Sequence, residues 1–89
     1  MPEYNEGDLV EVWFYDHKEL TGWTPIKEVR DMPAAQCKVT GYFISENELF
    51  LRILYMVSDD KECSGTVIVK GCIFKPIHKI EESELDDFD

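Results

Sequence analysis

Alternation of apolar and polar side chains, with a period of two residues, constrains the fold of this 89-residue chain more than any other feature of its sequence. A strand directs successive side chains to opposite faces of its sheet, so this alternation is typical of half-buried strands. The pattern predicts strands over five segments: Leu9 to Tyr15, Cys37 to Ser45, Leu49 to Val57, Thr66 to Val69, and Cys72 to His78. Pro76 places the last of them at a sheet edge or at a bulge, because proline has no backbone N–H to donate.

One short helix is predicted between the first two strands. Thr24 is expected to be the N-cap residue and Pro25 the first helical residue. A second proline soon afterwards ends the helix near Asp31. So short a helix is not stable alone, and we therefore expect Ile26 and Val29 to pack on the sheet.

Together these elements predict a mainly β fold. We expect a small five-stranded barrel of SH3-like or Sm-like type over residues 1–80, with one short helix after the first strand and an acidic tail over residues 81–89. The third strand is apolar on both faces, with its odd residues, from Leu49 to Val57, suited to the core. A single barrel interior leaves a further apolar set to be covered: Phe50, Leu54, Met56, Ile73 and Ile77. Homo-oligomerisation is the expected cover.

Charge is unevenly distributed along the chain. The formal net charge is −10, and residues 81–89 hold six acids and no base. This tail is either a solubilising, frayed terminus or an acidic arm that docks on a basic partner or mimics nucleic acid. The balance disfavours binding of long DNA or RNA, which needs a dense basic surface. Met1 to Asp8 is acidic and has no apolar run, so we expect a soluble, cytoplasmic protein rather than a membrane-bound one.

The sequence predicts neither a metal site nor a cofactor. Cys37, Cys63 and Cys72 include no CxxC pair, and the two histidines, at positions 17 and 78, are not at metal-ligand spacing from them. Asp16 beside His17 raises a catalytic reading, but no nucleophile motif accompanies the pair. We therefore expect a protein that is not an enzyme.

A run of three aromatic residues, Trp13 to Tyr15, must place at least one ring on the outer face of the first strand. Exposed rings near fixed polar groups are typical of a recognition surface. We predict that at least one of Trp13, Tyr15 and Trp23 stacks on a planar ligand beside Asp16, with Tyr42 as a further candidate. For any single ring, packing in the core or in an interface is the alternative.

Arg30, Arg52 and Lys70 are the candidate cations for such a ligand. Arg52 lies between apolar neighbours, where an unpaired charge is costly. It is expected to pair with a carboxylate, to extend to solvent or to contact an anionic ligand. Lys70 and Gly71 form a predicted turn whose amides and ammonium group would hold a phosphate, although an ordinary hairpin turn has the same sequence signature.

Three segments, VEVWFYDHKELTGW, CKVTGYFISEN and VIVKGCIFKPI, resemble a family of small proteins common in bacteriophage and prophage genomes. The family pattern has an aromatic–Asp strand end followed by Gly-Trp, a Cys-x-x-x-Gly-aromatic strand and a late Lys-Gly-Cys-Ile turn. The resemblance covers Asp8 to Ile80. Trp13 precedes Asp16 by three residues where the pattern has two, which puts Phe14 at the equivalent place. The third segment is also similar to the second Sm motif, with cysteine where Sm proteins carry a polar residue.

A phage setting implies a particular kind of function. The chain is similar in character to viral sponge proteins, which sequester the nucleotide second messengers of bacterial immunity without cleaving them. Our leading hypothesis is such a sponge, binding a cyclic nucleotide in the host cytoplasm. One alternative is an acidic protein-interaction module that inhibits a host defence protein. Another is an Sm-like nucleic-acid binder, which the charge disfavours.

Overall fold

A computed structural model describes residues 3–81 and shows a five-stranded antiparallel sheet. Its elements in chain order are β1 (Leu9–Asp16), α1 (Ile26–Arg30), β2 (Ala35–Glu46), β3 (Phe50–Val57), β4 (Cys63–Val69), a 3-10 turn (Lys70–Cys72) and β5 (His78–Lys79). The spatial order is β4-β3-β2-β1-β5, so the first four strands form a meander and the fifth returns beside β1. The predicted mainly β fold is confirmed. In residues 3–81, no helix has the length and apolar character needed to cross a membrane.

The sheet is not closed, so the predicted SH3-like or Sm-like barrel is not confirmed. Within the described part of the chain, β4 pairs with β3 alone and β5 pairs with β1 alone. A barrel requires its first and last strands to pair with each other. The predicted acidic tail lies outside the described residues, apart from Glu81.

The core lies on one face of the sheet. Alternation on β1 is as predicted, since Val10 and Val12 are fully buried. The buried set comes from four strands: Val10, Val12, Phe43, Leu51, Ile53 and Ile68. Tyr4 and the segment after the 3-10 turn cover this face, and Ile73 and Ile77 pack against the core. The expectation that these two isoleucines belong to an uncovered apolar face is therefore wrong.

The predicted strand from Cys72 to His78 is wrong over most of its length. Ile73 forms an isolated bridge with Phe14, and regular pairing resumes only at His78–Lys79. Pro76 lies in the gap, where its missing N–H interrupts the ladder. The strand is at a sheet edge, as the proline predicts.

Both ends of the predicted third strand, Leu49 to Val57, depart from the expected alternation. Leu49, Tyr55 and Val57 were expected in the core but are at least half exposed. The register of β3 against β4 shifts between Leu54 and Met56, and this bulge moves the residues after it to other faces. Pairing with β2 also ends at Leu54, so the remainder of β3 is paired with β4 alone.

The helix is present, but it does not cover the sheet. Pro25 is at the N-cap position and makes no side-chain cap hydrogen bond, so the predicted Thr24 cap is wrong by one residue. Ile26 and Val29 are exposed rather than packed. All residues from 17 to 31 are exposed, and we call this segment, residues 17–31, the β1–β2 arm. The arm therefore supplies no buried side chain to the core.

Candidate functional site

An aromatic and cationic cluster lies on the outer face of β1. Trp13 and Tyr15 both point to this face, and Phe74 packs against them with ring centroids 6.3 Å and 4.4 Å away respectively. Lys38 and Lys75 place their ammonium groups 5.6 Å and 4.6 Å from the centroid of the Trp13 ring. We call these five residues the Trp13 platform. It is the place where the described structure brings rings and cations together.

Backbone register explains how the platform forms. Trp13 lies directly opposite Lys38 in the antiparallel β1–β2 pairing, so their side chains share one face. On the other side of β1, the Phe74 N–H donates to the Trp13 carbonyl at 3.2 Å. Phe74 follows the core-facing Ile73, and alternation turns its ring to the outer face. Lys75 comes next in the chain and reaches back over the indole.

The Trp13 indole is held in place by one carboxylate. Its Nε1–H donates to Glu11 Oε1 at 2.8 Å, and both side chains lie on the outer face of β1. This bond fixes the ring orientation and engages one oxygen of the Glu11 carboxylate. Trp13 is half-buried, whereas Tyr15 is 44% exposed. The platform therefore combines an anchored ring with an accessible one.

The two lysines of the platform carry charge that the described structure does not neutralise. Within residues 3–81, neither Lys38 nor Lys75 forms an ion pair, and each contacts the indole face instead. A lysine over an indole is attracted by the ring quadrupole with about 0.5–2 kcal/mol. A phosphate offers a much stronger partner, so these ammonium groups are free to turn towards an anion beside the ring.

A second polar cluster lies on the core side of the same region. Tyr4, Lys70 and Lys75 line an open cleft with a volume of 490 Å3, together with Glu46, Ile73, Pro76 and Ile77. Glu46 Oε2 accepts from the Tyr4 hydroxyl at 3.1 Å and pairs with Lys70 Nζ at 3.0 Å. Burial, followed by the Glu46 charge and hydrogen bond, raises the pKa of Tyr4 to about 12. Lys75 lines this cleft and is also a member of the Trp13 platform.

Lys70 is therefore already partnered. Its turn is a single 3-10 turn rather than a plain hairpin turn, and the ammonium group is committed to Glu46. An anion that binds here has to compete with that carboxylate. The Lys70 ammonium group is therefore less available to an anion than its predicted turn position suggests.

The other predicted cations lie apart from the platform. Arg52 donates to the Ser45 hydroxyl at 3.3 Å, and within residues 3–81 it has no carboxylate partner. Of the three outcomes expected for Arg52, pairing with a carboxylate is therefore not seen within residues 3–81, and its partner is a neutral hydroxyl on the neighbouring strand. Arg30 is exposed in the last turn of α1.

The remaining predicted aromatics do not join the platform. Trp23 is fully exposed in the β1–β2 arm and makes no ring or cation contact with the described residues. Tyr42 is 47% exposed and lies opposite Leu9 at the other end of the β1–β2 pairing. Asp16 accepts from the backbone N–H and ring Nδ1 of His17, at 2.8 Å and 3.1 Å. That exposed pair caps the end of β1.

No further chemistry is concentrated elsewhere in the described residues. Groups of three or more histidine, cysteine or acidic side chains with metal-binding geometry are absent from residues 3–81. The three cysteines are free, with Cys37 and Cys72 half-buried and Cys63 exposed.

Sequence reasoning found two rings of the platform, Trp13 and Tyr15, but missed Phe74 and both cations. Lys38 becomes a candidate only once β1–β2 register is known, because that register puts it opposite Trp13. Phe74 and Lys75 lie more than fifty residues later in the chain, and their approach depends on the Ile73 bridge to β1. Alternation with Ile73 was the available signal for Phe74.

Comparison of the chain with protein-family models, with curated protein sequences and with solved structures finds no significant match.

Proposed function

We propose that this protein binds a small nucleotide at the Trp13 platform without converting it chemically. The observation that carries the proposal is the placement of two lysine ammonium groups within 6 Å of one indole centroid. A nucleotide presents a flat, apolar base joined to an anionic phosphate. An aromatic ring flanked by cations is complementary to both parts.

Stacking is the base-binding element of the proposal. A purine that lies over Trp13 displaces the Lys75 ammonium group from the ring face. That group then becomes available to the phosphate at the rim of the ring. Base stacking on an aromatic side chain contributes about 1–3 kcal/mol and tolerates different bases. Tyr15, supported from one side by Phe74, offers a second accessible ring for a second base.

Charge is the phosphate-binding element. The platform brings Lys38 and Lys75 together on a chain whose formal net charge is −10. A chain with this net charge repels anions in general, so a local pair of cations is needed to attract the phosphate groups. Two lysines match the two phosphates of a cyclic dinucleotide. They are too few for a long nucleic acid, for which affinity grows with the number of phosphate contacts.

We propose binding rather than catalysis because the carboxylate next to the platform is engaged in a hydrogen bond. Glu11, the carboxylate in contact with Trp13, already accepts the indole N–H. We propose that its role is to orient the ring rather than to act as a general base. The narrower form of the proposal is a phage-type sponge for a cyclic nucleotide immune signal, and the resemblance to phage proteins supports it.

Thermal shift with a panel of cyclic dinucleotides and cyclic ADP-ribose isomers tests the proposal. We expect at least one ligand to raise Tm, and the ligand to be recovered intact after the protein is denatured. The double substitution K38Q/K75Q should lower the affinity for that ligand about tenfold or more for each lysine, since a charge-assisted contact contributes about 1.5–3 kcal/mol. W23F is the matched control, because Trp23 is fully exposed and away from the platform. Lack of stabilisation by every ligand would refute the proposal, and recovery of a cleaved ligand would refute its non-catalytic part.

A second candidate function is a protein-interaction module that blocks a host defence protein. The β1–β2 arm favours it, because the arm exposes the apolar side chains of Leu20, Trp23, Ile26 and Val29. Two changes separate the candidates. W23A should abolish capture of a partner protein and leave nucleotide binding unchanged. Deletion of residues 81–89 should weaken capture only if the acidic tail contributes.

A further inference from the structure

The two edges of the sheet differ in their protection against pairing with another strand. At one edge, β5 is two residues long, includes Lys79 and follows shortly after Pro76. Short strands, lysine and proline are the usual means by which an edge is kept from pairing. At the other edge, β4 runs for seven residues, Cys63–Val69, without a charged residue or a proline. The β4 edge has none of these protective features.

The free backbone groups of β4 can be assigned from its pairing. Lys70 N–H donates to the Leu49 carbonyl at 2.8 Å, on the side of β3. Backbone groups alternate in direction along an antiparallel strand, so Ile68 and Thr66 also face β3. Gly65, Val67 and Val69 therefore direct their N–H and C=O groups to the open edge. Among the described residues no strand pairs with this side of β4, so these groups form a regular row at the sheet edge.

The outer face of the same strand is apolar. Val67 and Val69 are 59% and 50% exposed, and both point away from the core. An exposed apolar strand with a free ladder of backbone groups is a template for strand addition. The partner must bring its own uncharged strand of similar length.

We propose that a second copy of this chain pairs with β4 in antiparallel orientation, about a two-fold axis at Thr66, to give a continuous ten-stranded sheet. This is the register that pairs all seven residues of the strand. Gly65 then lies opposite the partner's Val67, and both have backbone groups directed to the open edge. Thr66 lies opposite the partner's Thr66 as a non-hydrogen-bonded pair. The proposal is independent of the function assigned to the Trp13 platform.

Charge identifies the occupant as a second copy. Two chains with a formal net charge of −10 repel each other over most of their surfaces, whereas β4 adds no charge to the contact. The Thr66 register pairs the uncharged residues 63–69 of the two copies along their whole length. An identical strand thus matches β4 in length and in neutrality.

Substitutions at Val67 test the dimer. The wild-type protein should show a reversible monomer–dimer equilibrium in sedimentation velocity. V67P removes an N–H that has no hydrogen-bond partner within residues 3–81, and two bonds are lost per dimer. The dimer dissociation constant should rise about thirtyfold. V67K is the second variant, because it sets two ammonium groups on diagonal neighbouring positions without changing the backbone. V29K, a valine-to-lysine change at an exposed helical site, should leave the equilibrium unaltered. A monomeric wild-type protein, or a dimer that both Val67 variants leave unchanged, would overturn the proposal.

A cross-link tests the register. In a C63S background, T66C places two thiols at about 4.5 Å Cα separation across the axis, within the range for a disulfide. Mild oxidation should give a covalent dimer. S64C in the same background is the control, because its two copies lie about 13 Å apart along the strands. Cross-linking of S64C in preference to T66C would contradict the Thr66 axis.

Discussion

Gly41 is the position where a single methyl group should do most damage to the sheet. It is buried on β2 opposite Val10, and a Cβ atom there would lie 2.5 Å from Ile53 Cγ2 and 2.7 Å from the Leu54 carbonyl oxygen. Side-chain rotation can relieve the first contact. The second involves the backbone of β3, so β2 and β3 have to separate locally. We therefore expect G41A to destabilise the fold.

The magnitude follows from two opposing effects. Overpacking of a close-packed core costs about 1–3 kcal/mol. Alanine also lowers the conformational entropy of the unfolded chain relative to glycine, and this effect stabilises the folded state by about 0.4–1 kcal/mol. The net loss is about 1–2 kcal/mol, which lowers Tm by about 5–15 °C for a domain of this size. Urea unfolding followed by circular dichroism measures the difference in free energy of unfolding directly.

Gly71 supplies the matched control. A Cβ atom at this position meets nothing within 4 Å, so G71A should be neutral or slightly stabilising. If G41A and G71A have equal free energies of unfolding, the close β2–β3 contact at Ile53 is not present in solution.

Two further predictions concern the core and the Tyr4 cluster. L51A should cost about 2–5 kcal/mol in urea unfolding because Leu51 is fully buried, whereas L49A, at a 64% exposed leucine, should cost much less; equal losses would contradict the assignment of the core face. Because the pKa of Tyr4 is raised to about 12 in the folded protein, its contribution to stability is complete below pH 10 and is lost as pH rises towards 12. Phenolate absorbance should show the Tyr4 phenol titrating near pH 12, and E46Q should lower that pKa while leaving the part due to burial; a Tyr4 phenol that titrates near pH 10 would contradict the Tyr4–Glu46 contact.

Local patterns predict the strands because the alternation of apolar and polar residues within each strand indicates which of its faces is buried. Alternation on β1 correctly separates Val10 and Val12 from Trp13 and Tyr15. The pattern does not reveal a bulge, because one extra residue leaves composition unchanged. The register shift after Leu54 therefore turned the predicted core residue Val57 outwards.

Closure of the sheet and assembly of the platform depend on contacts between distant parts of the chain. Whether β4 meets β5 is not encoded in either strand alone, and the structure leaves both as edges. Rings could be predicted near one another since Trp13 and Tyr15 are neighbours in sequence. Lys38 and Lys75 could not, because one depends on interstrand register and the other on the return of the chain beside β1.

Fluorescence of Trp13 tests the central claim most directly. The chain has two tryptophans, so W23F leaves Trp13 as its sole indole. Titration of this variant with the panel of cyclic nucleotides should give a saturable change in emission for a ligand that stacks on Trp13. Adding K38Q/K75Q to the same background should shift that titration to higher ligand concentration. Emission from W23F that no ligand alters in a saturable way would contradict nucleotide binding at the Trp13 platform.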